Sequence, residues 1–254
     1  MNQDPFELAG KRALVTGAGR NVGRAIAELF ARSGMSVGLV DLDEQRGQES
    51  LAAVSPLNPG HVMFLKANVA KKDDVEHCVD QFTLEFGGVD VLVNCVAITD
   101  RPSDIINLPL EKWQQVLDVS LTSVFLCTQA VSKQMIKQGT GGSIVTIGST
   151  SGHRGRANAV AYGPAKAAVT NMTMNSATQL GQYGIRVNTV TPNMVGSPVG
   201  EDEEAIVRKR QNLLGRSCAP EDVANAVGFM ASDKAAFITA SELLVDGGSL
   251  YGGK

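Results

Sequence analysis

Thr16-Gly17-Ala18-Gly19-Arg20-Asn21-Val22-Gly23 stands directly after the apolar run Arg12 to Thr16 and opens a helical pattern, Val22 to Ser33, with Ile26, Leu29 and Phe30 at apolar positions. Strand, glycine turn, helix is the context in which clustered glycines bring backbone against a pyrophosphate. Without side chains the chain can approach such a ligand closely, and the exposed N–H groups and positive dipole end of the helix favour its negative charge. Gly17, Arg20, Asn21 and Val22 are therefore candidate contacts. A plain structural turn uses the same glycines, so the following strand carries weight. It runs Ser36 to Val40 and ends at Asp41, eighteen residues after Gly23. A carboxylate there accepts both adenosine ribose hydroxyls and repels a 2′-phosphate, favouring NAD over NADP. Arg20 pulls the other way, because a guanidinium beside this pocket pairs with that phosphate.

Working outward, short β-branched runs recur at Val62 to Leu65, Val89 to Val93, Gly142 to Ile147, Ile185 to Val190 and Glu242 to Val245, which with the two above makes seven strands. Between them lie helical patterns at Asp43 to Ala53, Lys72 to Phe86, Leu110 to Gln138, Pro164 to Gln182 and Glu221 to Ala231. Alternating strand and helix predicts right-handed βαβ units and a Rossmann-type, doubly wound α/β fold. Its seven-stranded sheet is expected to be mostly parallel with helices on both faces. No repeat or Pro/Ser-rich linker divides the 254 residues, so one domain over 1–254 is expected, with a substrate lid at about 194–214. Within that lid, Glu201 to Glu204 followed by Arg208 to Arg210 fits the dipole of a short helix.

The composition is that of a globular chain, 43% hydrophobic and 19% charged, with a net charge of −3. That balance argues against a nucleic-acid backbone or an acidic membrane surface as partner. No stretch reaches eighteen uncharged apolar residues, so no spanning helix is expected. Cys78, Cys95, Cys127 and Cys218 are too far apart for a C-x-x-C motif and suit a reducing cytoplasm. His61 and His77 lack partners at ligand spacing, so no metal site is expected.

The most specific motif is Tyr162-Gly163-Pro164-Ala165-Lys166, with Ser149 thirteen residues upstream at a strand end. Positions i and i+4 share a helical face, so the Lys166 ammonium can lie near the Tyr162 phenol. A free tyrosine titrates near about 10, and a neighbouring positive charge favours its phenolate. Joined to the glycine turn, Asp41, Asn94 after the fourth strand and Pro192 to Ser197 after the sixth, this motif resembles the short-chain dehydrogenase/reductase family from about Leu8 to Gly248. The resemblance implies Tyr162 as general acid/base and Lys166 beside the nicotinamide ribose. It implies Ser149 on the substrate oxygen, and Ser120 at the position of the family's fourth catalytic residue, normally asparagine. It also places Asn68-Val69 against adenine, Asn94 in the family's N-N-A-G segment, and Val195 and Ser197 at the nicotinamide carboxamide. A homotetramer is the assembly it implies.

The chain departs from the family pattern at several places. Asn21 stands where a glycine is expected, Cys95, Val96 and Ala97 replace N-A-G, and Asn193 and Ala240 replace glycines. Asparagine tolerates positive φ better than most residues. Asn193 is a candidate for contacting substrate and equally for shaping a turn. His153, Arg154 and Arg156 follow the serine, and a basic pair there suits a carboxylate, as an exposed loop would too. The expected activity is NAD-dependent interconversion of a small or medium secondary alcohol and its ketone. Competing readings are an NADPH-linked 3-oxoacyl reductase, and a nucleotide-binding regulator that kept the fold without the chemistry.

Overall fold

A computed structural model describes residues 4–195 and 212–252. Seven strands form one sheet: β1 (Arg12–Thr16), β2 (Ser36–Asp41), β3 (Val62–Lys66), β4 (Val91–Asn94), β5 (Gly142–Ile147), β6 (Ile185–Pro192) and β7 (Glu242–Val245). Their spatial order is β3-β2-β1-β4-β5-β6-β7. The sequence predicts a mostly parallel sheet, and all six pairings are in fact parallel. Because the order reverses direction on either side of β1, the loops leaving β1 and β4 diverge and open a crevice at the carboxyl ends of the strands.

Alternate residues of the strands feed two core layers, as a sheet buried on both faces requires. Ala13 and Val15 of β1 pack with Ile26 and Phe30 of α1 (Asn21–Arg32) and with Val223 and Val227 of α7 (Pro220–Ala231). Leu14 points the opposite way, toward Phe82 of α3 (Lys72–Phe86) and Val131 and Met135 of α5 (Ser123–Gln138). Fully burying a side chain of this kind contributes about 1.5–3 kcal/mol. Helix α2 (Glu44–Val54) starts on an Asp43 carboxylate that accepts from the Arg46 N–H.

The helix predicted over Leu110 to Gln138 is broken. It divides into α4 (Leu110–Leu117), a π turn at Asp118–Thr122, and α5. Ser120 causes the inward bulge: its hydroxyl donates to the Ile98 carbonyl (3.0 Å) and accepts from the Ile98 N–H (3.1 Å). Helix α6 (Tyr162–Leu180) begins two residues before the predicted start, which puts Tyr162 in its first turn and Pro164 where proline is tolerated. The expected lid falls mostly on 196–211, outside the described residues, as do its charged helix and Ser197.

Candidate active site

Two successive elements carry the candidate catalytic groups. Strand β5 delivers Ser149, whose Oγ accepts from the Ser151 N–H at 3.2 Å and so caps a short 3-10 turn. Helix α6 carries Tyr162, and Lys166 follows one turn later. Lys166 Nζ donates to the Ile147 carbonyl at 2.7 Å and lies 5.9 Å from the centre of the Tyr162 ring. That carbonyl ends β5, so one strand end anchors the lysine and presents the serine. Ser149, Tyr162 and Lys166 all line a cavity of about 1310 Å³ at the crevice.

Burial sets the protonation states. It pushes the Tyr162 phenol up to about 12, against a hydrogen bond with Ser149 and the positive charge of Arg156, which both favour phenolate. It pulls Lys166 down to about 8. The sequence reading has the lysine and an oxidised nicotinamide favouring phenolate; within the protein chain alone, desolvation of the anion is the largest effect on the phenol and acts the opposite way. Burial thus favours the neutral phenol of Tyr162.

The other end of the cavity is lined by Gly17, Arg20, Asn21, Val22, Asp41, Asn68 and Val69. A Cβ on Gly23 would lie 2.0 Å from the Gly17 carbonyl oxygen, so only glycine lets α1 start against the turn. A Cβ on Gly19 would lie 2.7 Å from Asp41 Oδ2, which accepts from the Gly19 N–H at 2.9 Å. The other oxygen of Asp41 accepts from the Asp43 N–H. Helix α1 begins at this end of the cavity with no acidic residue in its first turn and no side-chain cap from Arg20. Asn21 has φ +47°, in the left-handed region its residue type tolerates. Asn68 Oδ1 accepts from the Ala70 N–H, which leaves its amide NH₂ as the polar group for a ligand. This cradle fits a dinucleotide: close backbone, a helix start without an acidic or capping side chain, and a carboxylate at the end of β2.

A family model described as Enoyl-(Acyl carrier protein) reductase matches residues 17–249. The chain belongs to the short-chain dehydrogenase/reductase family. Among its relatives, the 3-oxoacyl-[acyl-carrier-protein] reductase of Synechocystis sp. is 38% identical, over 95% of this chain and 97% of that protein. The cis-4-hydroxycyclohexanecarboxylate dehydrogenase of Sinomonas cyclohexanicum is 36% identical, over 95% and 97%. A short-chain type dehydrogenase/reductase of Mycobacterium marinum superposes with a TM-score of 0.90 at 31% identity, covering 98% of both chains. As a short-chain dehydrogenase/reductase, the chain is an oxidoreductase of a family that binds a nicotinamide cofactor.

Not every residue singled out from the sequence reaches the cavity of this family member. Val195 lines it and bridges to Cys218. Asn94 does not: its buried amide donates to Thr128 and Thr146, both at 3.3 Å, tying β4 to β5 and α5. Cys95, Val96 and Ala97 line the cavity in its place. Ser120 is fully buried, is not part of the cavity lining, and engages Ile98 with its hydroxyl. An asparagine side chain can make the same two hydrogen bonds to one backbone unit. Ser120→Asn is therefore expected to keep turnover within about tenfold of the parent, or about 1.4 kcal/mol. A tenfold or greater loss in steady-state rate would show that serine is required here in its own right.

The basic segment after the serine separates into three roles. His153 Nε2 meets Glu242 Oε1 at 2.8 Å, Arg154 turns toward Asn193, and Arg156 lines the cavity. Asn193 Oδ1 accepts from the Thr150 hydroxyl at 3.0 Å, which fixes the turn after β6.

Sequence reasoning missed Asp100. Its buried carboxylate accepts from the N–H groups of Val160 (2.6 Å), Ala161 (2.9 Å) and Tyr162 (3.2 Å), and from the Ser103 hydroxyl (2.6 Å). Its partners at the start of α6 lie some sixty residues on, so no local spacing signals the contact.

Proposed function

We propose that the chain is an NAD-dependent oxidoreductase that interconverts a secondary alcohol and its ketone, with Tyr162 as general acid/base. The convergence of Ser149, Tyr162 and Lys166 in one cavity carries this reading. A nicotinamide dinucleotide bound in the crevice supplies or accepts the hydride. In the reducing direction Tyr162 gives its phenolic proton to the substrate oxygen, while the Ser149 hydroxyl donates a hydrogen bond to that oxygen and orients the carbonyl. Lys166, held by the Ile147 carbonyl, brings positive charge beside the phenolate that forms. In oxidation the same groups act in reverse. The relative that acts on cis-4-hydroxycyclohexanecarboxylate, itself a secondary alcohol, is consistent with this chemistry.

Asp41 supports NAD. Its carboxylate is fixed by two backbone N–H groups at the end of β2, where a 2′-phosphate would meet its charge. A second reading, an NADPH-linked 3-oxoacyl reductase, is favoured by Arg20 and Arg46, which line the same end, and by the Synechocystis relative. Absorbance at the reduced-nicotinamide band, with NAD and NADP in parallel against a panel of secondary alcohols, separates the two. NAD turnover is expected to dominate, and Asp41→Ala to shift the NADP/NAD ratio of kcat/KM toward NADP at least about tenfold, the scale of one charged hydrogen bond. Preference for NADP in the parent would favour the second reading.

The reading extends to the whole chain as one domain over 1–254 with a substrate lid at about 194–214. A homotetramer in the cytoplasm completes it. Phe237, fully exposed beside β7, and Phe125, half exposed on α5, are apolar groups such an assembly would cover. The four thiols are free, as suits a reducing compartment.

A further inference from the structure

Helix α6 lacks a cap of its own. Ala161 at its N-cap offers no side-chain acceptor, and no acidic residue occupies its first turn. The deficit falls where the acid/base residue begins the helix. Asp100 fills it from the loop after β4. Oδ2 takes the N–H groups of Val160 and Ala161 together with the Ser103 hydroxyl, and Oδ1 takes the N–H of Tyr162 itself. A second tie, Ser103 N–H to the Asn158 carbonyl at 3.2 Å, holds the same two segments together. Thr99 and Arg101, on either side of Asp100, line the cavity, while Asp100 is turned inward and only 3% exposed.

We propose that Asp100 is a positioning residue whose carboxylate locks the backbone of Tyr162 to the Thr99–Arg101 wall of the cavity, and so sets where the phenol meets the substrate oxygen. The proposal rests on Tyr162 being the acid/base. It acts through the main chain: the carboxylate touches no reacting atom and faces the dipole of α6. The hydrogen bonds suffice to overcome the cost of its burial. Burial pushes the carboxyl up, yet Ser103, Ala161 and Val160 hold it down at about 2.

Asp100→Asn makes a selective lesion. If the amide oxygen takes the place of Oδ2 and keeps its three donors, the NH₂ faces the Tyr162 N–H, donor against donor. The expected results are faster amide hydrogen exchange confined to 160–162 and a kcat lower by about a hundredfold, the effect of misplacing a reacting group by about 1 Å. The cofactor KM should stay unchanged and the primary deuterium isotope effect on kcat should rise. In a Tyr162→Phe background the substitution should cost nothing further. A merely structural role would lower the active fraction and leave the isotope effect alone. The proposal is overturned by unchanged exchange at 160–162, by exchange that rises across the whole sheet, or by an equal kcat loss in the Tyr162→Phe background. Should Asp100→Asn fail to fold, Asp100→Glu keeps the charge and lengthens the arm by one methylene. It too should lower kcat and raise the isotope effect, and parental values of both would sink the idea. If the parent turns over no alcohol with either cofactor, the proposed function falls, while the exchange measurement still decides whether Asp100 clamps Tyr162.

Discussion

Tyr162→Phe is expected to lose about a thousandfold in kcat, within the usual range for removing a general acid/base, while NADH binding measured by fluorescence stays close to the parent's. The ring is buried against a packed wall that includes Val116 and Ala161, and phenylalanine fills the same space, so only the proton donor is lost. Ser149 then still orients the substrate oxygen, with no group left to protonate it. The pH profile gives an independent check. Tyr162, held up at about 12, remains a neutral phenol across the accessible range, so its own titration does not limit reduction. Lys166 does titrate there. Its value is lowered to about 8, so the ammonium is complete below that pH and is lost as pH rises through it. Since that charge supports the phenolate left after proton donation, reduction should be level at neutral pH and decline above about pH 8. Wild-type turnover in Tyr162→Phe would remove tyrosine from the chemistry, and a rate unchanged through pH 8 to about 10 would remove the lysine charge from it.

Gly23→Ala has the second large effect, and it strikes the cofactor end. The new Cβ would lie 2.0 Å from the Gly17 carbonyl oxygen and 2.7 Å from its carbon. Both are backbone atoms of the turn, so no rotamer relieves the contact and the start of α1 must move away from β1. Overpacking of this kind costs typically about 1–3 kcal/mol, and here it also displaces the N–H groups that face the crevice. A fall in Tm and an NADH affinity weakened by at least about a hundredfold, or about 2.7 kcal/mol, are expected. Gly155→Ala is the matched control, because a Cβ there meets nothing within 4 Å. If both variants bind NADH as the parent does, the turn is not the pyrophosphate cradle.

Periodicity made the sheet legible because buried parallel strands leave β-branched runs between amphipathic helices. β5 and β7 lie where the pattern puts them. β4 starts at Val91 and not at Val89, since both backbone groups of Val89 are taken by the Gln138 side chain, 49 residues away. The π turn was hidden for a similar reason: its cause is a hydrogen bond from Ser120 to Ile98, and apolar spacing reads straight through it. Of the glycines the family pattern leads one to expect, Asn21 and Ala240 were legible as departures, and both keep the positive φ of the residue they replace. For Ala240 this is strain, of the order of 1 kcal/mol, that asparagine largely avoids. At the site, the motif residues Ser149, Tyr162 and Lys166 could be read from spacing, whereas Asn94 and Asp100 could not be placed. Their positions depend on which distant donors and acceptors the fold brings to them.

The parallel sheet, with β1 inside it between β2 and β4, also governs how the chain reaches its folded state. The strand made first is completed on one side by residues 36–40 and on the other by 91–93, so Ala13 waits for Val91. β4 in turn waits for residues 143–146. Among the described residues no hairpin supplies an early nucleus, and each ladder closes a loop holding at least one helix before its contacts can repay the lost chain entropy. Refolding should therefore be slow for the chain's helix content, with β1's open edge the most aggregation-prone surface until β4 arrives.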